Sequence, residues 1–331
     1  MYTLWQNKEE IMEKLSLDTI NESQINEMGE GKALLQSLGV NVSSKGTEYI
    51  SGTLFNKESI PMIMWNIGEV FTQTKNNADK IIGSIVEVTY KVIEFSGRHT
   101  ASIQSMRLSD EADVTEYMKI KYNKDVYTQA VLDILRKNMS GTGYMLACKI
   151  AGVNQNDVDT WEKFSTEFAA MSHHDNCMSG LLAHTYKLLY SLSVVKQLYP
   201  YLSNFCGNYS CDLLFLGAFL HDIGKVDEMS LGNYQPNSIV THRILGLEYI
   251  YPYKDEIINL YDEKFYYMLV SIIVQHHDEW GDKCRTLPAK IVNLLDVLDA
   301  QFTEIGQKLE TEVSSNTVGT TIKLNGSYLN F

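Results

Sequence analysis

The segment LLFLGAFLHDIGK at residues 213–225 is an apolar, helical stretch that ends in a histidine and an aspartate. Burying His221 and Asp222 on such a helix is costly unless something compensates their charge. A metal ion is the simplest compensator, because adjacent imidazole and carboxylate groups can ligate one cation. Gly224 lets the chain turn away, and Lys225 then projects toward the same space, where its ammonium group suits a phosphate oxygen. The segment therefore predicts a helical domain with a metal site.

Two further polar residues lie on stretches that are predicted to be buried helices. His184 stands in GLLAHT at residues 180–185, and Asp296 stands in IVNLLDVLDA at residues 291–300. A buried imidazole or carboxylate without a partner is costly, so both side chains should pair or ligate. Seven of the eight histidines lie between residues 173 and 277, and this clustering favours a shared site: His173, His174, His184, His221, His242, His276 and His277.

The order of these residues resembles that of the HD-domain metal phosphohydrolases over residues 173–300. The resemblance is carried by HHDN at 173–176, SGLL at 179–182, GAFLHDIGK at 217–225, THR at 241–243 and QHHDEWG at 275–281. Together with a β-barrel upstream, these segments are most similar to the YhaM-type 3′-to-5′ exoribonucleases. That resemblance implies a phosphodiesterase of the exonuclease type, which hydrolyses single-stranded RNA, or DNA, and releases nucleotides.

The same resemblance implies the site residues and the cofactor. The metal ligands would be His184, His221, Asp222 and Asp296 for one ion, and His242 with one or both of His276 and His277 for another. We expect two divalent ions, with manganese favoured and iron, nickel, zinc, magnesium or cobalt also compatible. Lys225, Asp222 and His174 would act in catalysis. Asp299 and His173 would orient ligands or contact phosphate.

From about residue 46 to residue 108 the apolar pattern has a period of two, which indicates short strands. Such strands are predicted at 49–55, 61–65, 86–92 and 101–105, with polar turns at 56–59, 75–77 and 96–98. This pattern is typical of a small barrel of the OB type, whose sheet face commonly binds single strands. Trp65, Arg98 and His99 are candidate nucleic-acid contacts. Tyr49, Phe55, Tyr90 and Phe95 could stack on bases, although core packing is the more common role.

The expected fold class is therefore α+β in several domains, with an N-terminal β-barrel of OB type followed by an all-α HD domain. We expect an N-terminal extension at residues 1–40, the barrel at 41–112, the helical domain at 113–312 and an extended C-terminal arm at 313–331. A polar, acidic stretch at residues 109–115 would link the barrel to the helices.

The composition limits the classes of function. The chain has 331 residues and a formal net charge of −13, which argues against coating DNA or an anionic membrane by bulk electrostatics. Five cysteines without a CxxC pair argue against a zinc ribbon and a disulfide scaffold. No signal peptide is evident and no apolar stretch approaches the ~20 residues that span a bilayer. We therefore expect a cytoplasmic protein with no membrane partner, and a homo-oligomer is compatible with these features.

Two other functions fit the same motifs. An HD-type nucleotidase, dNTP hydrolase or cyclic-nucleotide phosphodiesterase that acts on small nucleotides would use nearly the same metal site, but it has less need of an upstream barrel. A non-catalytic module that binds nucleic acid or protein would keep the fold with a silent site, whereas the ligand set here is complete. Deleting the barrel and analysing the bound metal are the observations that separate these alternatives.

Overall fold

The computed structural model divides into two compact units, one ending at Lys119 and one beginning at Ile120. It describes residues 12–66, 68–111, 113–153, 159–170, 175–204, 209–230, 233–234, 239–278, 281–312, 321–324 and 327–330. Within these ranges no helix combines the length and the apolar character needed to cross a membrane.

The first unit is a closed, five-stranded barrel. Its strands are β1 (Met28–Val42), β2 (Glu48–Asn56), β3 (Glu58–Trp65), β4 (Ile85–Phe95) and β5 (Arg98–Leu108). They follow the order β1-β2-β3-β5-β4, and antiparallel pairing of β1 with β4 closes the barrel. The helix α1 (Leu17–Glu22) precedes the barrel, and α2 (Gly68–Ile81) connects β3 to β4. This architecture confirms the predicted barrel of OB type.

Alternating side chains fill the barrel interior. On β4, Val86, Val88, Tyr90 and Val92 are buried in the apolar cluster of the barrel, and the alternating residues Glu87, Thr89 and Lys91 are more exposed. The turn from β4 to β5 places Ser96 and Gly97 at positive φ, 52° and 76°, a backbone shape that suits tight hairpins. The period of two therefore identified these strands correctly.

The barrel begins earlier in the chain than the sequence indicated. Because β1 starts at Met28, residues 28–40 belong to the barrel and not to an extension. Two glycines near the start of β1 serve close packing: a Cβ at Gly29 would lie 2.5 Å from the Tyr90 ring, and a Cβ at Gly31 would lie 3.0 Å from Leu15. The periodic signal is lost where glycine replaces a side chain.

A helix also stands where a polar turn was expected. Residues 75–77 lie inside α2, so the expected turn at this position is wrong. The helix buries Phe71 in the barrel cluster and Thr74 beside it, while the polar residues between them face solvent. One buried face of this kind is enough to hold a mostly polar helix on a barrel.

The second unit is helical, as predicted. Its helices are α3 (Lys124–Asn138), α4 (Gly141–Ile150), α5 (Asp159–Thr166), α6 (Gly180–Leu198), α7 (Ser210–Leu220), α8 (Lys225–Glu228), α9 (His242–Ile250), α10 (Lys254–Leu260), α11 (Glu263–Gln275) and α12 (Leu287–Glu312). All eleven residues of α7 except Cys211 are buried, and this helix packs against α4, α6, α11 and α12. A helix that is apolar on every side belongs in a core, so the pair that follows it, His221 and Asp222, is carried into the centre of the unit.

Short elements complete the described chain. Turns of 3-10 helix lie at Val114–Tyr117, Pro200–Ser203 and Tyr251–Tyr253. Two small antiparallel pairs join β6 (Met229–Ser230) to β7 (Asn233–Tyr234) and β8 (Thr321–Leu324) to β9 (Ser327–Asn330). The second pair lies within the segment expected as an extended arm, and the other residues of 313–331 lie outside the described ranges.

Candidate metal centre

The helical unit brings the predicted metal ligands together from five separate segments. His184 lies on α6, His221 and Asp222 follow α7, His242 begins α9, His276 and His277 follow α11, and Asp296 lies on α12. Two sets of these residues each have donor atoms that all lie within 4.8 Å of one another. The first donor set is His184, His221 and Asp296, and the second donor set is Asp222, His242, His276 and His277.

Asp222 belongs to the second donor set and also reaches the first. Its Oδ2 is 3.3 Å from His221 Nε2 and 3.8 Å from His184 Nε2, in the first donor set. Its Oδ1 is 3.4 Å from His242 Nε2 and 3.5 Å from His276 Nε2, in the second donor set. One carboxylate thus offers one oxygen to each set.

The imidazole rings are held by hydrogen bonds at Nδ1. The Nδ1 atoms of His221 and His276 each lie 2.9 Å from a backbone carbonyl one turn earlier, those of Ala218 and Ile273. The Nδ1 atom of His184 lies 2.7 Å from Asp299 Oδ2. Because carbonyl and carboxylate oxygens only accept, each Nδ1 carries the hydrogen. In the neutral imidazole the Nε2 atom then carries a lone pair, which faces the centre.

Several donor atoms crowd one another at the centre. His184 Nε2 and His221 Nε2 face each other at 3.3 Å, as do His242 Nε2 and His277 Nε2. Asp222 Oδ1 and His276 Nε2 are buried and make no hydrogen bond within the part of the chain that the structure describes. Lone pairs that face one another in a buried space repel unless a cation or a proton lies between them. This donor chemistry fits divalent metal, since imidazole nitrogen and carboxylate oxygen are its common ligands.

Burial and the neighbouring charges act in opposite directions on the pKa values of several groups at the centre. Burial alone would lower the pKa of His184, but the carboxylates of Asp296 and Asp299 outweigh it and raise the pKa to about 10. Burial, together with the neighbouring imidazole of His276, lowers the pKa of His277 to about 3. Burial opposes ionisation of Asp222, yet Lys225 and His221 hold its pKa well below the usual value. Without a metal, a proton on His184 would take the place of the cation beside Asp296, whose Oδ1 is 3.2 Å from His184 Nε2.

Lys225 reaches the centre as the sequence indicated. Its Nζ lies 2.7 Å from Asp222 Oδ2 and donates to the carbonyl of Ala169 at 2.7 Å. Burial would lower the pKa of Lys225, but Asp222 raises it, so the ammonium group stays charged. Gly224 has a different role from the one expected: its φ of −66° is ordinary helical backbone. It is required because a Cβ there would lie 2.0 Å from the His242 carbonyl.

Two residues that hold the histidines were missed in the sequence. Glu228 Oε2 lies 2.7 Å from His242 Nδ1, so a buried acid orients that ring. Asn293 Nδ2 donates to the His276 carbonyl at 2.7 Å. Glu228 gave no periodic signal because α8 is only four residues long. The predicted His173 and His174 lie outside the described residues.

In the barrel unit, three of the predicted aromatic residues form a ring cluster. The centroid of the Trp65 ring lies 5.3 Å from that of Tyr49 and 6.3 Å from that of Phe95, and all three side chains are partly exposed. Phe55 and Tyr90, by contrast, are buried. This trio is therefore the part of the predicted aromatic set that a base could reach.

The two predicted polar contacts of the barrel line an open groove of about 660 Å³. Arg98 is exposed, while His99 is half-buried with its Nδ1 3.1 Å from the Ile20 carbonyl. Thr53 and Ser59 lie in the same groove. His99 thus contacts the backbone of α1, whereas the exposed Arg98 is better placed to contact a phosphate.

Comparison with known proteins agrees with the fold and with the metal chemistry. The HD domain model matches residues 201–301, which include every residue of the two donor sets except His184. The chain is 26% identical over 256 residues to the 3'-5' exoribonuclease YhaM of Oceanobacillus iheyensis, covering 73% of this chain and 76% of that protein. It is 24% identical over 312 residues to the 3'-5' exoribonuclease YhaM of Listeria welshimeri, covering 90% of this chain and 92% of that protein. An HD domain and relatives of this kind point to a metal-dependent hydrolase.

A solved structure matches a part of the chain. The second OB-fold domain of replication protein A from Methanococcus maripaludis is 22% identical, with a TM-score of 0.20, and the match covers 28% of this chain and 94% of that one. The assignment of the barrel here rests on its own closed strand order.

Proposed function

We propose that this chain is a metal-dependent 3′-to-5′ exonuclease that shortens single-stranded RNA and releases nucleotides. The observation that carries the proposal is the pair of donor sets around Asp222, in which imidazole Nε2 atoms face each other at 3.3 Å. The relatives named 3'-5' exoribonuclease, which match most of the chain at 24–26% identity, support the choice of reaction.

Two metal ions would share Asp222. One would be held by His184, His221, Asp296 and Asp222 Oδ2, and the other by His242, His276, His277 and Asp222 Oδ1. Manganese is the ion we propose on the basis of the family resemblance, and mixed imidazole and carboxylate ligation is compatible with it, as it is with iron, nickel and zinc. The hydrogen bonds at Nδ1 serve this role, since they aim the Nε2 lone pairs inward in advance of metal binding.

Bound metal would lower the pKa of a water molecule and neutralise charge on the phosphoryl group. Lys225 contributes charge from the protein itself. Of the three donors of its ammonium group, Asp222 and the Ala169 carbonyl take two within the described residues, which leaves the third for a phosphoryl oxygen. We propose His174 as the proton donor to the leaving group, on the basis of its place in the HHDN segment.

The barrel would hold the substrate strand. Trp65, with Tyr49 and Phe95, presents ring surface on which bases can stack, and Arg98 would meet a backbone phosphate. Stacking of one base on an aromatic side chain contributes ~1–3 kcal/mol. A local site of this kind is what a chain with a net charge of −13 needs in order to bind a polyanion.

The proposal is tested by incubating 5′-labelled single-stranded RNA and DNA with the full-length protein and manganese. Stepwise shortening of the labelled strand supports the exonuclease, and the relative rates on the two strands decide the substrate. Intact strands alongside hydrolysed mononucleotides would instead favour an enzyme of small nucleotides. No hydrolysis and no retained metal would favour a binding module. Asp222→Ala serves as the inactive control.

A further inference from the structure

A buried acid outside both donor sets anchors a lysine. Asp175 has no exposed surface and a φ of 53°, a left-handed backbone that L residues seldom adopt. Its Oδ1 accepts a hydrogen bond from the Tyr122 hydroxyl at 2.5 Å, and its Oδ2 accepts one from Lys187 Nζ at 2.6 Å. The strained backbone and the two short contacts show that the surroundings fix this carboxylate in one orientation.

Lys187 connects this acid to the helix that carries Asp299. Its Nζ lies 2.6 Å from Asp175, 3.1 Å from Asp299 Oδ1 and 2.7 Å from Thr303 Oγ1, so all three ammonium protons have partners. Lys187 stands one turn after His184 on α6, and Thr303 stands one turn after Asp299 on α12. Lys187 therefore connects the turn of α6 that carries His184 to the turn of α12 that carries Asp299.

These contacts give the two carboxylate oxygens of Asp299 different partners. Oδ1 is occupied by Lys187 and by the Thr303 hydroxyl, 3.3 Å away, which leaves Oδ2 to His184 Nδ1 at 2.7 Å. If the lysine were absent, Asp299 could rotate and place either oxygen, or neither, at His184. The imidazole would then lose the fixed direction of its Nε2 lone pair.

We infer that Lys187, held by Asp175, is a positioning residue that sets the metal affinity of the first donor set through Asp299 and His184. This inference rests on the proposed function, since it takes His184 as a ligand. Carboxylates that orient a ligating histidine commonly change metal affinity by ~10- to 100-fold. Lys187 acts on His184 only through Asp299. Its loss should therefore weaken manganese binding by about 10-fold, at the low end of that range.

The test is manganese titration of chelator-treated, full-length protein by calorimetry, with urea unfolding of the metal-free form measured in parallel. Lys187→Met should weaken one manganese step about 10-fold, and Lys187→Arg, which keeps the charge, should recover part of the loss. The matched control is Lys196→Met, which removes a lysine of the same helix whose Nζ donates to Asn138 at 3.1 Å, away from Asp299.

The outcomes separate the inference from the proposed function. If wild-type protein binds no manganese, the proposed function fails. If wild-type protein binds manganese and Lys187→Met binds it equally well, the positioning role alone is overturned. If Lys187→Met and Lys196→Met lose affinity only in proportion to their lost stability, the lysine is structural and the inference is likewise overturned.

Discussion

Asp222 Oδ1 and His276 Nε2 lie 3.5 Å apart in the core of the helical unit, and neither atom makes a hydrogen bond within the described residues. A buried polar atom without a partner costs ~1–3 kcal/mol, and more when it is charged. Side-chain movement offers little relief, because Asp222 is fixed by Lys225 and His276 by the Ile273 carbonyl. The stability of this unit is therefore linked to whatever cation these atoms receive.

Manganese should accordingly raise the unfolding temperature of chelator-treated protein. A ligand present at 100 times its dissociation constant adds ~2.7 kcal/mol to the free energy of unfolding. In Asp222→Ala, which removes an oxygen from both donor sets, the increase should vanish, and in His221→Ala, which disrupts only the first donor set, it should shrink. Hydrolysis should fall by at least about 100-fold in both variants, with the helical circular dichroism retained. Differential scanning calorimetry with and without manganese makes the measurement. An equal shift in the wild-type protein and in both variants would show that the ion binds elsewhere.

Manganese binding should release protons and strengthen as the pH rises. Because the pKa of His184 is raised to about 10, the metal-free protein carries a proton on this imidazole at pH 7. The ion displaces that proton, so affinity should increase by up to about tenfold per pH unit below pH 10 and level off above it. Calorimetric titrations in buffers of different ionisation enthalpy count the released protons. Binding at pH 7 without proton release would contradict ligation by His184.

Glu228 should control the second donor set. Glu228→Ala removes the acceptor for His242 Nδ1, frees the ring to rotate, and should weaken one manganese step by about 10- to 100-fold. Glu228→Gln, which keeps an acceptor oxygen but loses the charge, should show a smaller loss. Glu248→Ala changes an exposed acid on the neighbouring helix and serves as the control. Equal affinities for the Glu228→Ala and Glu248→Ala variants would exclude a role for Glu228 in orienting His242.

The site residues that the sequence revealed share one physical property. His184, His221 and Asp296 are polar groups on apolar helices, so the conflict between burial and charge is visible in the order of the amino acids alone. Glu228 escaped notice because it lies in a helix of only four residues. Lys187 lies on the same apolar helix as His184, but a lysine on a helix usually extends its ammonium group to solvent, so its charge signals no conflict with burial. Their roles depend on which atoms the tertiary fold places beside them, and that information is absent from local spacing.

Local sequence pattern also failed to reveal one part of the fold. The strands around residues 49–55 and 86–92 alternate with a period of two, and the sequence identified them. In β1 the pattern fails at Gly29 and Gly31, which are small because Tyr90 and Leu15 pack against them. A residue selected by close approach of its neighbours carries no periodicity, so the first strand could not be recognised from its own sequence.

Trp65 should contribute to strand binding and not to the chemical step. Trp65→Ala removes one of the three rings of the barrel cluster and should weaken single-stranded RNA binding by ~1–3 kcal/mol, which is about 5- to 150-fold. Trp65→Phe retains a stacking surface and should recover most of the affinity. Fluorescence anisotropy with labelled RNA measures binding, and hydrolysis at saturating RNA should change little. Unchanged affinity in Trp65→Ala would remove the barrel cluster from the binding surface.

Gly224 is a position at which the helical core should tolerate substitution poorly. A Cβ there would lie 2.0 Å from the His242 carbonyl and 2.5 Å from the Gly246 amide nitrogen, so Gly224→Ala must push α8 away from α9. Overpacking of this kind typically costs ~1–3 kcal/mol, and here it opposes backbone, which cannot rotate aside as a side chain can. The displacement would also move Lys225 and His242 apart. The free energy of unfolding measured with urea and the affinity for manganese should therefore both decrease. Gly141→Ala is the matched control, because a Cβ at that helical glycine meets nothing within 4 Å. If Gly224→Ala were as stable and bound manganese as tightly as Gly141→Ala, close packing of α8 on α9 would not be what holds the two donor sets together.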